Sequence, residues 1–158
     1  MTKLIELEDA DFNWLLDENA SPRGELRRPP GGVDQPPVMG VIRRMNQRLA
    51  AAGCNCAWMI IEDGEVVGLC SFKTPPSEGK AEIGYGIAPS RRKRGYATSA
   101  VGAIIEVART DPAVTALVAE TAVSNPASER VLEKNGFSKV GRRHDTDDGP
   151  MSLWQLVL

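Results

Sequence analysis

The chain alternates two kinds of hydrophobic spacing. Short apolar runs bounded by turn residues read as strands, and stretches with apolar positions every three or four residues read as helices. Leu4 to Leu7 is a short strand, after which Asp9 is a plausible cap for a helix carrying Phe12, Leu15 and Leu16. Residues 19–37 hold five prolines among Gly24, Gly31 and Gly32 and read as a long irregular loop, a common form for binding loops and lids. Val38 to Ala51 reads as a helix with Val38, Val41, Ile42, Met45 and Leu49 on one face and Arg43, Arg44 and Arg48 outward. Cys56–Glu62 and Glu65–Phe72 flank Asp63-Gly64, a two-residue hairpin turn. Ala81 to Ala88 is the next strand. A helix over Tyr96–Arg109 follows, stopped by Asp111-Pro112, then a strand over Val114–Val123. Asn125-Pro126 opens a further helix that ends at Asn135-Gly136. Phe137–His144 and Met151–Leu158 form a terminal hairpin around Asp147-Asp148-Gly149.

The order β α α β β β α β α β β predicts an α/β (α+β) fold. Its centre is a mixed, mostly antiparallel sheet of about 6–7 strands with helices on both faces. With 158 residues, one domain over 1–158 is expected.

Composition narrows the function classes. Hydrophobic residues make up 42% and charged residues 25% of the chain, as in a globular protein, and no run is long and apolar enough to span a membrane. The formal net charge of −2 argues against a general nucleic-acid binder. No apolar leader opens the sequence, and Cys54, Cys56 and Cys70 lack the partners of a zinc site; reduced thiols and a cytoplasmic setting are expected, with no metal.

Against this mildly acidic background stands a local basic turn. Arg91-Arg92-Lys93-Arg94-Gly95 lies between a strand and a helix. A helix start carries free N–H groups and a positive dipole end, and Gly95 lets backbone approach an anion, so the segment reads as a pyrophosphate site.

Three pieces in order give the chain a family resemblance: Arg92-Lys93-Arg94-Gly95-Tyr96-Ala97, the preceding strand Ala81-Glu82-Ile83-Gly84-Tyr85-Gly86-Ile87-Ala88, and Asn125-Pro126-Ala127-Ser128 leading to Glu133-Lys134-Asn135-Gly136-Phe137. The first is similar to the Gln/Arg-x-x-Gly-x-Gly/Ala signature of the GCN5-related N-acetyltransferase (GNAT) family. The last resembles the branch that includes the ribosomal-protein N-terminal acetyltransferases. One departure is Lys93, which stands where many relatives have glycine.

The resemblance implies the GNAT acyl-CoA N-acyltransferase fold and acetyl-CoA as donor. It implies that the backbone of Arg92, Lys93, Arg94, Gly95, Tyr96 and Ala97, with the Thr98 hydroxyl, cradles the pyrophosphate. Ile87 and Ala88 would pair with the pantetheine amides where two central strands splay apart. Asn125 would bond the pantetheine arm as well as capping its helix, and Arg130 would reach a CoA phosphate or remain a solvated charge.

Acetyl transfer needs a proton acceptor for the incoming ammonium and a donor for the leaving thiolate. Glu82, in a position where histone-acetylating relatives carry a Glu, is the favoured base. Glu120, in the apolar run Ala116–Val123, is the second candidate, with a structural Arg partnership as its alternative. The tyrosine that some relatives use as acid is replaced here by Leu132, leaving Ser128 as the candidate and Tyr85 as a weaker one that reads more readily as core. Arg27 and Arg28 in the long loop hint at an acidic acceptor. The expected activity is N-acetylation of a protein N-terminus, amino acid or small amine by a monomer or homodimer. A non-catalytic acyl-CoA sensor on the same fold is the alternative.

Overall fold

The computed structural model describes residues 1–158. The elements are β1 (Lys3–Glu6), α1 (Asp11–Leu16), α2 (Pro36–Ala51), β2 (Ala57–Glu62), β3 (Glu65–Phe72), β4 (Lys80–Ile87), α3 (Tyr96–Arg109), β5 (Ala116–Ala122), α4 (Pro126–Lys134), β6 (Ser138–Asp145) and β7 (Gly149–Val157). This is the expected order, and the strands form one sheet, β1-β2-β3-β4-β5-β7-β6. Every neighbouring pair is antiparallel except β4 with β5.

That parallel pair is short. Lys80, Ala81 and Glu82 oppose Ala116, Leu117 and Val118, and no pairing follows. Beyond Glu82 the strands diverge, and the β5-facing edge of β4 from Ile83 to Ile87 has no strand partner. On the other side β4 stays paired with β3 as far as Gly68↔Ile87. A Cβ on Gly68 would lie 2.2 Å from the Gly86 carbonyl oxygen, so glycine there permits the close approach.

Two hydrophobic clusters cover the sheet. On one face, Val101, Ile104 and Ile105 of α3 and Leu132 of α4 pack with Ile83, Leu117 and Trp154. On the other, Phe12, Trp14 and Leu15 of α1 and Met39 of α2 pack with Met59, Ile61 and Val66. All three tryptophans serve packing: Trp14 and Trp154 are buried, and Trp58 meets Phe72 edge-on.

Several local expectations are corrected. Asp9 does not cap α1; its carboxylate accepts from Arg43 Nε and Nη2, both at 2.8 Å, and ties α1 to α2. The buried Asp11 instead accepts from the Glu8 amide and the Trp14 indole. α2 begins at Pro36, and it buries Met39 and Leu49 while leaving Val41 58% exposed. Cys54 and Cys56, expected as free thiols, are joined by a disulfide, because the turn after α2 brings their Cα atoms to 5.4 Å. Cys70 is a buried free thiol whose pKa burial pushes up.

Residues 17–35 are irregular, as expected, and arginines fasten them. Arg28 donates to the carbonyls of Trp14, Ala20 and Glu18 at 2.7–2.9 Å. Arg27 donates to the Asp63 carbonyl, and its backbone pairs with Gly64 and Val66 of the β2–β3 hairpin. Both guanidinium groups are thus engaged with backbone, which removes their suggested role in reading an acidic acceptor.

Candidate active site

Two cavities open where β4 and β5 part. The first, of about 730 Å3, lies between the β4–α3 turn and the start of α4. Gly95 precedes α3 with φ +81°, a left-handed conformation that glycine adopts freely. Lys93 is left-handed too, at φ +63°, a strained setting for a residue with a Cβ. Together they curl the backbone so that the successive amides from Lys93 to Thr98 donate to no protein acceptor. Free amides at a helix start in a curled turn make an anion cradle. The side chains agree: Arg91, Arg92, Lys93, Arg130 and Lys134 line this cavity and no carboxylate does.

Of the residues expected to hold the donor, Ile87, Arg92, Lys93, Gly95, Tyr96, Ala97, Thr98, Asn125, Ser128 and Arg130 line the cavity. Arg94 and Ala88 do not. Ala88 is fully buried, and its amide donates to the Val67 carbonyl. Asn125 caps α4 by accepting from the Ser128 amide at 3.2 Å. Asn135, at the far end of α4, donates to the Thr98 and Val131 carbonyls and fixes α4 against the start of α3.

The second cavity, of about 270 Å3, lies on the other face between α2, β3 and β4. Its walls are mainly apolar, from Leu7, Val33, Val38, Ile42 and Leu69. Its polar groups include Asp34, Asn46 and Lys73. Tyr85 and Gly86 line both cavities and mark where they meet. A Cβ added to Gly86 would meet nothing within 4 Å, so the junction is open beside it.

The Tyr85 hydroxyl lies 2.9 Å from the Ser128 hydroxyl. Burial raises the Tyr85 pKa, and the Ser128 bond offsets part of that rise. The phenol therefore stays protonated through neutral and mildly basic pH and can donate. Leu132 is fully buried in the core. Tyr85 lies beyond the last β4–β5 pair. Its alternation with Ile83 and Ile87 does not reveal this and made it read more readily as core.

The two candidate carboxylates lie outside both cavities. Glu82 forms an ion pair with Lys73 at 3.3 Å. It shares a face of β4 with Gly84 and Gly86, so only glycines separate it from the junction along that face. Glu120 is not enclosed in an apolar run. It accepts from Arg143 Nε at 2.6 and 3.0 Å, in the structural partnership that was its alternative reading. Arg91, part of the basic turn read from the sequence, lines the first cavity and is anchored by Glu65, whose Oε2 accepts from its Nη2 at 3.0 Å.

The family model of the acetyltransferase (GNAT) domain matches residues 3–138. The uncharacterized N-acetyltransferase p20 of Bacillus licheniformis is 31% identical over 143 residues, covering 89% of this chain and 80% of p20. The ribosomal-protein-serine acetyltransferase of Escherichia coli K12 is 31% identical over 93 residues, covering 58% of this chain and 52% of that relative, about half its length. Among solved structures, the RimL ribosomal L7/L12 alpha-N-protein acetyltransferase in complex with coenzyme A superposes with a TM-score of 0.73 at 20% identity, covering 99% of this chain and 94% of that one. The p20 alignment and the family match both run through the diverging strands and the basic turn, and on their strength the chain belongs to the GNAT acetyltransferase family.

Proposed function

We propose that the protein is an acetyl-CoA-dependent N-acetyltransferase in which a primary amine attacks the thioester directly while both substrates are bound. The observation that carries this reading is the meeting of two chemically different cavities at Tyr85 and Gly86. One suits a polyanionic nucleotide end, with free amides and five cationic side chains; the other suits a small, largely apolar acceptor. Unpaired backbone on the β5-facing edge of β4 suits the amides of a pantetheine arm, which would lie there as an added strand.

In the reaction the amine nitrogen forms a bond to the acetyl carbon and the carbon–sulfur bond breaks. The ammonium gives up protons to reach the neutral amide, and the thiolate takes one up. Positioning supplies much of the rate in such a transfer. Ser128, with Tyr85 behind it, provides a hydroxyl pair to donate toward the leaving sulfur, and the raised Tyr85 pKa keeps the pair supplied with a proton. This pair also weighs against a non-catalytic sensor, whose motivation was the loss of a donor at Leu132.

For the proton acceptor we favour Glu82 over Glu120, because Glu120 is committed to Arg143. A strand rises about 3.3 Å per residue, which puts Glu82 roughly 13 Å along β4 from Gly86, so the proton reaches it through water over Gly84. Steady-state thiol release from acetyl-CoA with a panel of primary amines tests the function. Amine-dependent release is expected. Glu82→Gln should lower the rate at neutral pH and recover toward wild type as the pH approaches that of the free amine; an equal deficit at all pH values removes Glu82 from the proton path.

A further inference from the structure

Arg91 ends the short turn Pro89–Arg91 that leads from β4 toward the anion cradle, and it lines the first cavity. Of the five cationic residues there, it alone is in an ion pair. Glu65 grips it side-on: Oε1 accepts from Nε, and Oε2 accepts from Nη2 at 3.0 Å. The Arg91 and Glu65 side chains are only 21% and 15% exposed, so solvent screens the pair weakly. Nη1 donates to the Ser90 carbonyl at 3.2 Å. These bonds use three of the five guanidinium donors and leave one N–H on Nη1 and one on Nη2 without a protein acceptor.

Glu65 is itself held from behind. The Arg27 main chain pairs with Gly64 and Val66, on either side of it, at 2.9 Å each, and the Arg27 guanidinium donates to the Asp63 carbonyl. The carboxylate thus stands on a fastened hairpin, and Arg91 ties that hairpin to the turn that continues into Lys93 and Gly95.

On charge alone Glu65 is misplaced. A carboxylate beside a cavity suited to a polyanion cancels much of the attraction that Arg91 offers. Its contribution is geometric. An arginine side chain that is free in solution loses rotamer freedom when it grips a phosphate, and one already held in a planar fork loses less.

We propose that Glu65 is a positioning residue for the acyl donor: it holds Arg91 so that the two remaining N–H groups meet a phosphate of coenzyme A. The proposal rests on the acetyl-CoA reading. It runs against the expectation from charge, and that opposition supplies the test.

Calorimetry with coenzyme A compares wild type, Glu65→Ala, Glu65→Gln, Arg91→Ala and the Glu65→Ala/Arg91→Ala double variant, all in the full chain. Glu65→Ala should weaken binding about tenfold although it removes a negative charge, the scale of one charge-assisted hydrogen bond. Glu65→Gln keeps one acceptor and the side-chain shape, and should lose less; it also carries the test if the alanine variant does not fold. In the Arg91→Ala background the sign should reverse. Glu65 is then an unpaired carboxylate beside the phosphates, so removing it should leave affinity unchanged or improve it. In steady state, KM for acetyl-CoA should rise in Glu65→Ala in step with the dissociation constant, with kcat at saturation within about twofold of wild type. Binding that is unchanged or tighter in Glu65→Ala and Glu65→Gln overturns the proposal, as does equal weakening in both backgrounds, which is the mark of a merely structural tie. Either result leaves acetyl transfer standing. Wild type that binds no coenzyme A overturns the acetyl-CoA reading and the proposal with it.

Discussion

The Tyr85 hydroxyl touches Ser128, and its side chain borders both cavities. Tyr85→Phe removes the outer donor without removing the ring. We expect kcat to fall by about 10²-fold, the usual scale of one acid–base group, with little change in acetyl-CoA affinity. Because burial raises the phenol pKa, the protonated form persists past the ordinary tyrosine value. The pH–rate profile should therefore rise as the amine deprotonates and then hold level to about pH 10, the unperturbed tyrosine value. Lys93 makes a different residue-level case. Its positive φ costs on the order of 1 kcal/mol, so Lys93→Gly should stabilise the fold by about that amount in urea unfolding. The sequence exposed Lys93 as a departure at a glycine position. It ranked Tyr85 only as a weaker candidate, since strand alternation identifies a face but not where a neighbouring strand stops covering it.

At the scale of elements, the early end of β4–β5 pairing creates the opening, Gly68 lets β3 and β4 approach each other, and Gly86 leaves the junction of the two cavities clear. They should respond differently to substitution. Gly68→Ala places a Cβ against the Gly86 carbonyl and should cost about 3 kcal/mol of stability, measured by denaturant unfolding, as β3 and β4 are forced apart. Gly86→Val meets no backbone obstacle, so the chain should fold normally while kcat/KM for the amine drops about 10²-fold from misplacement at the junction. The strand and helix order was legible from periodicity and turn residues, down to the Asn125-Pro126 start of α4. The divergence of β4 from β5 was implied only by the family resemblance. On α2 the expected inward face holds at Val38, Ile42, Met45 and Leu49, but Val41 is exposed and Met39, which the apolar spacing left out, enters the core.

Over the whole molecule, the second cavity is assembled by long-range ties. Arg28 gathers the carbonyls of Trp14, Ala20 and Glu18, and the loop it orders carries Val33 and Asp34 to the second cavity. Arg28→Ala should raise KM for the amine several-fold and cost about 2–3 kcal/mol, while calorimetric acetyl-CoA affinity stays unchanged. A loop rich in proline and arginine announces neither which carbonyls its guanidinium groups reach nor that they face inward, which is why these arginines resembled substrate-binding groups. The first cavity was readable because its features are local, with one turn and one helix start carrying most of them. The second draws on α2, β3, β4 and the loop, and only the folded chain brings them together. We propose that acetyl transfer takes place at Tyr85, where the two cavities meet. Its most direct measurement is amine-dependent thiol release, with mass detection of the acetylated amine, for wild type and Tyr85→Phe at saturating acetyl-CoA. Wild type should give stoichiometric product and the variant a loss of about 10²-fold; coenzyme A binding without amine-dependent release, or a Tyr85→Phe enzyme with undiminished kcat, would rule out transfer at Tyr85.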